Sequence, residues 1–348
     1  MRPISPNAVP TIHPVPMNDL RKILVYHPGA IGDVMLATPV AVTLKHNFPE
    51  ASLMYCTHPS LIELLEMCAA VDRCLPMYRQ ESFAVQRGKL RTAFADLIVD
   101  LSGSHRSKLL TMWCGAKVVH YRKQSAHGLP RLHAVENFLS TLKPLSLRRP
   151  DRLFPTVVPG EAQSQAVTSL LEHAGASGKV LIGLVPGVGR LRPHRGWFED
   201  GWISLAGSVL SLGHTFAALI GGEDESALCQ RIAAAAGDRC LSLAGKLSLA
   251  QTAALLKSCR LVVSADTGPA HIAVAVGTPV VGLYGPTFPA RSGPYGYDHL
   301  LVDDSHQCRC HKLKCCRVTN QPGPGQCMLK ITPEQVLGKI VAVLERGD

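Results

Sequence analysis

Short apolar runs, each followed by a turn and then a helical stretch, recur through this chain and constrain its fold more than any other feature. Lys22–His27 (KILVYH) opens the series, and the stretch after it reads as a helix ending near Phe48-Pro49. Ala51–Thr57 is the next expected strand, Ser60–Met67 the next helix, and Asp96–Leu101 (DLIVDL) a strand running into Ser102-Gly103-Ser104. Val118–Tyr121 is a fourth. From Lys143 to Gly160 the alternation gives way to Pro- and Arg-rich sequence (KPLSLRRPDRLFPTVVPG), which reads as a linker. It then restarts with strands at Val180–Val185, Thr215–Ile220, Leu261–Ser264 and Val280–Tyr284. The helices between them are Trp202–Leu212, Leu249–Ser258 and Pro269–Val276. Continuous apolar strands alternating with helices predict an α/β class with parallel sheets covered on both faces. Two such halves leave a cleft, and ligands bind beyond the carboxyl ends of the strands.

The chain has 348 residues, enough for two domains of roughly 150 residues each, and 46% of them are apolar. The expected division is a flexible lead-in at 1–19, a first domain at 20–150, a linker with the first helix of the second half at 151–178, a second domain at 179–331, and a C-terminal helix at 332–348. Thr332-Pro333 supplies N-cap and N1 residues for that helix. No apolar run reaches the roughly 18 residues a membrane span needs. The lead-in carries five prolines and no apolar signal core, so the expected location is cytoplasmic.

A formal charge of +10 favours an anionic partner. The cations sit in short loops, and aromatics are 5% of the chain, which disfavours a nucleic-acid stripe. Of the twelve cysteines, Cys68, Cys229 and Cys259 read as small buried thiols. Cys308, Cys310, Cys315, Cys316 and Cys327, with His306 and His311, form a denser set without paired C-x2-C spacing. It reads either as a structural zinc or iron site at Cys308, Cys310, Cys315 and Cys327 or as packed, reduced thiols.

Four loops that follow strands carry candidate chemistry. In His27-Pro-Gly-Ala-Ile-Gly-Asp33, Gly29 and Gly32 allow close backbone approach but do not make the dinucleotide fingerprint. Asp33 is placed either to act as general base at the cleft mouth or to cap the helix. Thr38-Pro39 is expected to start the regular helix. Ser264-Ala-Asp-Thr-Gly-Pro-Ala-His271 builds a helix N-terminus with Pro269 at its first position, a receptacle for pyrophosphate or an ordinary capped helix. In Pro186-Gly187-Val-Gly-Arg-Leu-Arg-Pro-His-Arg195-Gly-Trp197, three arginines in six residues can clamp phosphate or remain solvated. Gly221-Gly-Glu223-Asp-Glu225 can accept from ribose hydroxyls or cap the next helix.

In order along the chain, KILVYHPGAIGDVMLATPV, PG…RGWFEDGW, GGEDE and SADTGPAHIAVAVGTPVVGLYGPT resemble glycosyltransferase family 9, the ADP-heptose:lipopolysaccharide heptosyltransferases, from about Leu20 to Leu344. The resemblance implies a GT-B architecture, with two Rossmann-like domains whose parallel sheets face each other across a cleft. It also implies an inverting transfer of heptose from ADP-heptose to a lipopolysaccharide-core or related anionic glycolipid acceptor, with no cofactor required. By motif, Asp33 matches the general base. Gly32, Gly187, Asp266, Thr267, Gly268, Pro269 and His271 match donor-binding positions, and Glu223 matches a ribose contact. The family commonly has Lys two residues before Trp197, where this chain has Arg195. The donor diphosphate would sit at Thr267-Gly268, with Arg195 meeting its developing charge. One protein-modifying relative type holds iron near its C-terminus, which keeps the cysteine set in view. Acceptor loops 102–108 and 121–131 carry His105, Arg106, Lys108, Arg122, Lys123 and Arg131, suiting a phosphorylated or carboxylated acceptor and peripheral contact with the inner membrane surface. Another sugar nucleotide, a protein acceptor, a non-catalytic nucleotide-sugar-binding protein and a nucleic-acid-binding protein are the alternatives to test.

Overall fold

The computed structural model describes residues 20–112, 114–126, 129–130, 132–304, 310, 316 and 323–346. The lead-in, Arg131, Cys308 and Cys315 lie outside the described residues. The first half runs β1 (Lys22–Tyr26), α1 (Ile31–Asn47), β2 (Ser52–Thr57), α2 (Ile62–Leu65), β3 (Arg73–Pro76), α3 (Phe83–Thr92), β4 (Leu97–Asp100), α4 (His105–Thr111) and β5 (Lys117–His120). A small ribbon, β6 (Ser125–Ala126) with β7 (Leu129–Pro130), and α5 (Ala134–Leu139) complete it. Its sheet is parallel, in the order β3-β2-β1-β4-β5.

After α6 (Glu161–His173), the second half runs β8 (Val180–Val185), α7 (Glu199–Leu210), β9 (Thr215–Leu219), α8 (Ser226–Ala236), β10 (Cys240–Ser242), α9 (Leu249–Ser258), β11 (Leu261–Ala265), α10 (Gly268–Ala275) and β12 (Val280–Tyr284). It closes with α11 (Pro289–Ser292), β13 (Val302–Asp303), α12 (Gln326–Leu329) and α13 (Pro333–Glu345). Its parallel sheet is ordered β10-β9-β8-β11-β12-β13. The expected two-sheet α/β architecture is what the chain adopts.

In both sheets the strand order reverses beside the first strand, between β1 and β4 and between β8 and β11. Those switch points open crevices at the carboxyl ends. The central strands β4, β9, β11 and β12 are buried throughout, as strands covered on both faces must be. One apolar cluster continues from β1 and α1 through Leu153 and Val157 of the linker into α9 and α10. The two halves therefore share a core, with α1 packed on α10.

The expectation that Thr38-Pro39 begins the regular helix is corrected: α1 starts at Ile31 and carries Pro39 inside it. Proline removes the N–H that would bond the Met35 carbonyl. The Thr38 hydroxyl donates to that carbonyl at 2.8 Å, which repairs the gap. The same oxygen accepts from the Thr156 N–H of the linker at 3.1 Å. Val157 N–H then donates to Ala275 O and Val158 N–H to Met67 O, so the linker is tied to both halves.

Candidate active site

The site forms where two helix N-termini from different halves meet. A Cβ at Gly32 would fall 2.5 Å from His271 Cδ2, and one at Gly268 would fall 3.1 Å from Ile31 Cβ. Gly32 lets α1 and α10 start this close together, and a side chain at Gly268 would press on Ile31. Asp33 is the third residue of α1, with its side chain 42% exposed. No side chain caps this helix, so the carboxylate faces the cleft within the first turn, where the helix field favours an anion.

Asp266 opens the turn after β11 with its side chain 8% exposed. Arg195 Nη1 donates to its Oδ2 at 3.1 Å, and His271 Nε2 stands 3.6 Å from its Oδ1. Burial pushes the Asp266 carboxyl up. Hydrogen bonding from His271 and Thr287 and the charges of Arg195 and His271 outweigh it and hold the group below the usual carboxylate range. Asp266 thus holds a cation and an imidazole in place. Arg195 Nε is buried with no hydrogen-bond partner among the described residues. Burial lowers the Arg195 guanidinium from its ordinary value; Asp266 opposes this, while Arg192 and Arg291 lower it further. It stays a cation at any working pH.

Thr267 is the N-cap of α10, yet its hydroxyl does not cap. It lies 2.9 Å from Ser264 Oγ instead. With Pro269 at the next position but one, the first turn of α10 has no side-chain cap from Thr267, the arrangement that can receive anions.

The three-arginine loop divides its work. Arg195 enters this constellation, whereas Arg190 pairs with Asp224. A Cβ at Gly187 would fall 1.9 Å from Glu225 Cγ, so the glycine makes room for Glu225. That carboxylate accepts from Gly189 N–H at 3.2 Å and Gly222 N–H at 2.8 Å, joining the loops after β8 and β9. Glu223 is exposed on the same turn and lies against Gly245.

Around Asp33 a cavity of about 240 Å³ is lined by His27, Ser102, Tyr121, Lys123 and Arg291 among others. His27 is buried with Nδ1 3.2 Å from Tyr55 OH; burial pulls it down to about 4, against Asp33 and Asp100, so it is neutral at pH 7. A larger cavity of about 750 Å³, lined by His133, Arg152, Phe154 and Tyr295, contains none of the candidate residues. Arg291 Nη2 lies 3.7 Å from Asp33 Oδ1. Sequence reading passed over it, although it follows the Gly285-Pro286-Thr287 loop beyond β12, just where ligand-facing loops occur. Of the acceptor-loop cations, Lys123 reaches this cavity, while Arg106 stacks on Phe83 and donates to Gln86.

Among the described residues no group of three or more His, Cys, Asp or Glu side chains is arranged to hold a metal. Cys310 and Cys327 are buried. Nor is any described helix long and apolar enough to cross a membrane.

Residues 85–320 match glycosyltransferase family 9 (heptosyltransferase), more than half the chain. The chain belongs to that family. As a family 9 glycosyltransferase it is 25% identical to lipopolysaccharide heptosyltransferase 2 of Salmonella typhimurium, over 93% of this chain and 98% of that one. Its fold matches a family 9 glycosyl transferase from Veillonella parvula with a TM-score of 0.81, at 20% identity over 94% and 98% of the two chains. The E. coli ADP-heptose lipopolysaccharide heptosyltransferase II superposes with a TM-score of 0.74, at 24% identity over 94% and 99%. The expected GT-B fold and glycosyltransferase class both stand.

Proposed function

We propose that this glycosyltransferase moves a heptose from ADP-heptose, with inversion, to a lipopolysaccharide-core or related glycolipid acceptor, using Asp33 as general base. The observation that carries the reading is the meeting of α1 and α10. A half-exposed carboxylate stands on one helix start, and a first turn without a side-chain cap stands at the other, beside an Arg195 held by Asp266. The ADP-heptose named for the E. coli relative supports this choice of donor.

In the step, the acceptor hydroxyl oxygen bonds to the anomeric carbon as the bond from that carbon to the diphosphate oxygen breaks. The hydroxyl proton passes to Asp33, and the bonding pair leaves on ADP. Charge growing on the β-phosphate is met by Arg195 and the start of α10. The acceptor we assign is an anionic glycolipid, supported by Lys108, Arg122 and Lys123 on the first half. The enzyme then works as a peripheral protein at the cytoplasmic face of the inner membrane. Glu223, on the loop after β9, is assigned to the ribose.

Calorimetry with ADP tests the donor half of this reading. Wild type binds, Arg195→Ala weakens binding at least about tenfold, and Asp33→Ala retains it. Equal affinity for wild type and Arg195→Ala, or no adenine nucleotide binding at all, overturns the donor assignment.

A further inference from the structure

Arg291 belongs to the second half yet faces the carboxylate of the first. Its helix α11 is fastened on both sides: Tyr284 OH donates to Ser292 O at 2.6 Å, and His133 Nε2 lies 3.1 Å from Gly293 O. His133 Nδ1 accepts from Val135 N–H, so Nε2 carries the proton and donates. The guanidinium is therefore held at the seam, 3.7 Å from Asp33. It is also close enough to Arg195 for the two cations to repel. That makes Arg195, Arg192 and Arg291 neighbours of a region whose facing carboxylates are Asp33 and Asp266. Asp266 is committed to Arg195 and His271; Asp33 pairs with Arg291 through a separation longer than a hydrogen bond, with both side chains 42% exposed. Pairs of this kind are weak. A diphosphate carries more charge and accepts planar, bidentate hydrogen bonds from a guanidinium, so it competes well for the same cation.

We propose that Arg291 is shared between base and donor: it pairs with Asp33 while the donor subsite is empty and turns to the diphosphate when the subsite fills. The proposal rests on the donor reading above and adds a consequence. Donor arrival strips the ion pair from Asp33, leaving the carboxylate free to take the acceptor proton. Arg291 then touches the leaving group and stabilises it beside Arg195.

The test is ADP calorimetry on wild type, Arg291→Gln, Asp33→Ala and the double variant. Arg291→Gln weakens ADP about tenfold. Asp33→Ala tightens it about two- to fivefold, because the competing carboxylate is gone. Asp33→Ala adds no tightening in the Arg291→Gln background. Unchanged affinity in Asp33→Ala, or the same tightening with and without Arg291, overturns the shared cation; the second result would mean plain repulsion between Asp33 and phosphate. ADP binding that responds to Arg195→Ala but not to Arg291→Gln sinks this inference and leaves the donor reading standing. Absence of ADP binding in every variant sinks both.

Discussion

His271 lies directly over Gly32, so close that a methyl group on the glycine would fall 2.5 Å from the imidazole. This one approach joins the helix that carries Asp33 to the ring that steadies Asp266. Gly32→Ala forces the imidazole, 3% exposed, away from Asp266. The expected cost is about 1–3 kcal/mol of stability, the usual range for overpacking. A drop in kcat larger than the change in Tm accounts for should accompany it, and thermal melts alongside turnover check both.

Thr38 has a structural task that leaves the chemistry alone. Thr38→Val removes the donor to the Met35 carbonyl left open by Pro39 and strands the Thr156 N–H. Leaving such groups unpaired costs about 1–3 kcal/mol. Urea unfolding should register that loss while the ADP Kd stays unchanged.

What was legible in the chain, and what was not, follows from the same details. The buried strands at 180–185, 215–219, 261–265 and 280–284 are short, mostly apolar runs between turns, so the local pattern finds them. Strands β3, β10 and β13 are two to four residues at or near sheet edges, with sequences such as Arg73–Pro76 that carry no such run. Pro39 misleads because the neighbouring Thr38 hydroxyl takes up the Met35 carbonyl and is itself held by the Thr156 N–H of a linker distant in sequence. Asp33, Asp266 and His271 stand on motifs, whereas the pairing of Arg291 with Asp33 joins residues far apart in sequence and has no local signature. Likewise nothing in the local sequence shows that the side chain packed against Gly187 is Glu225.

Gly187→Ala tests that last relationship. The added methyl meets Glu225 Cγ at 1.9 Å, so the carboxylate must release the Gly189 and Gly222 N–H groups. The loops after β8 and β9 then lose their tie. An ADP Kd raised about tenfold is expected, and an unchanged Kd by calorimetry would place those loops away from the donor.

Acid should destabilise the protein through His27. Its folded value of about 4 lies below the ordinary 6.5, so the unfolded chain takes up the proton first. Stability from this residue is complete above pH 6.5 and is lost progressively as pH falls towards 4, by on the order of 3 kcal/mol. Denaturation measured between pH 7.5 and 4.5 should show a shallower loss in His27→Gln than in wild type.

The most direct measurement of the account is the turnover of Asp33→Asn with ADP-heptose and a lipopolysaccharide-core acceptor, taken together with its ADP affinity. Removing a base while keeping its shape should cut kcat by about 10² to 10⁴, with ADP bound at least as tightly as by wild type. A kcat within about threefold of wild type, measured on a variant that still binds ADP, would contradict the assignment of Asp33 as the base.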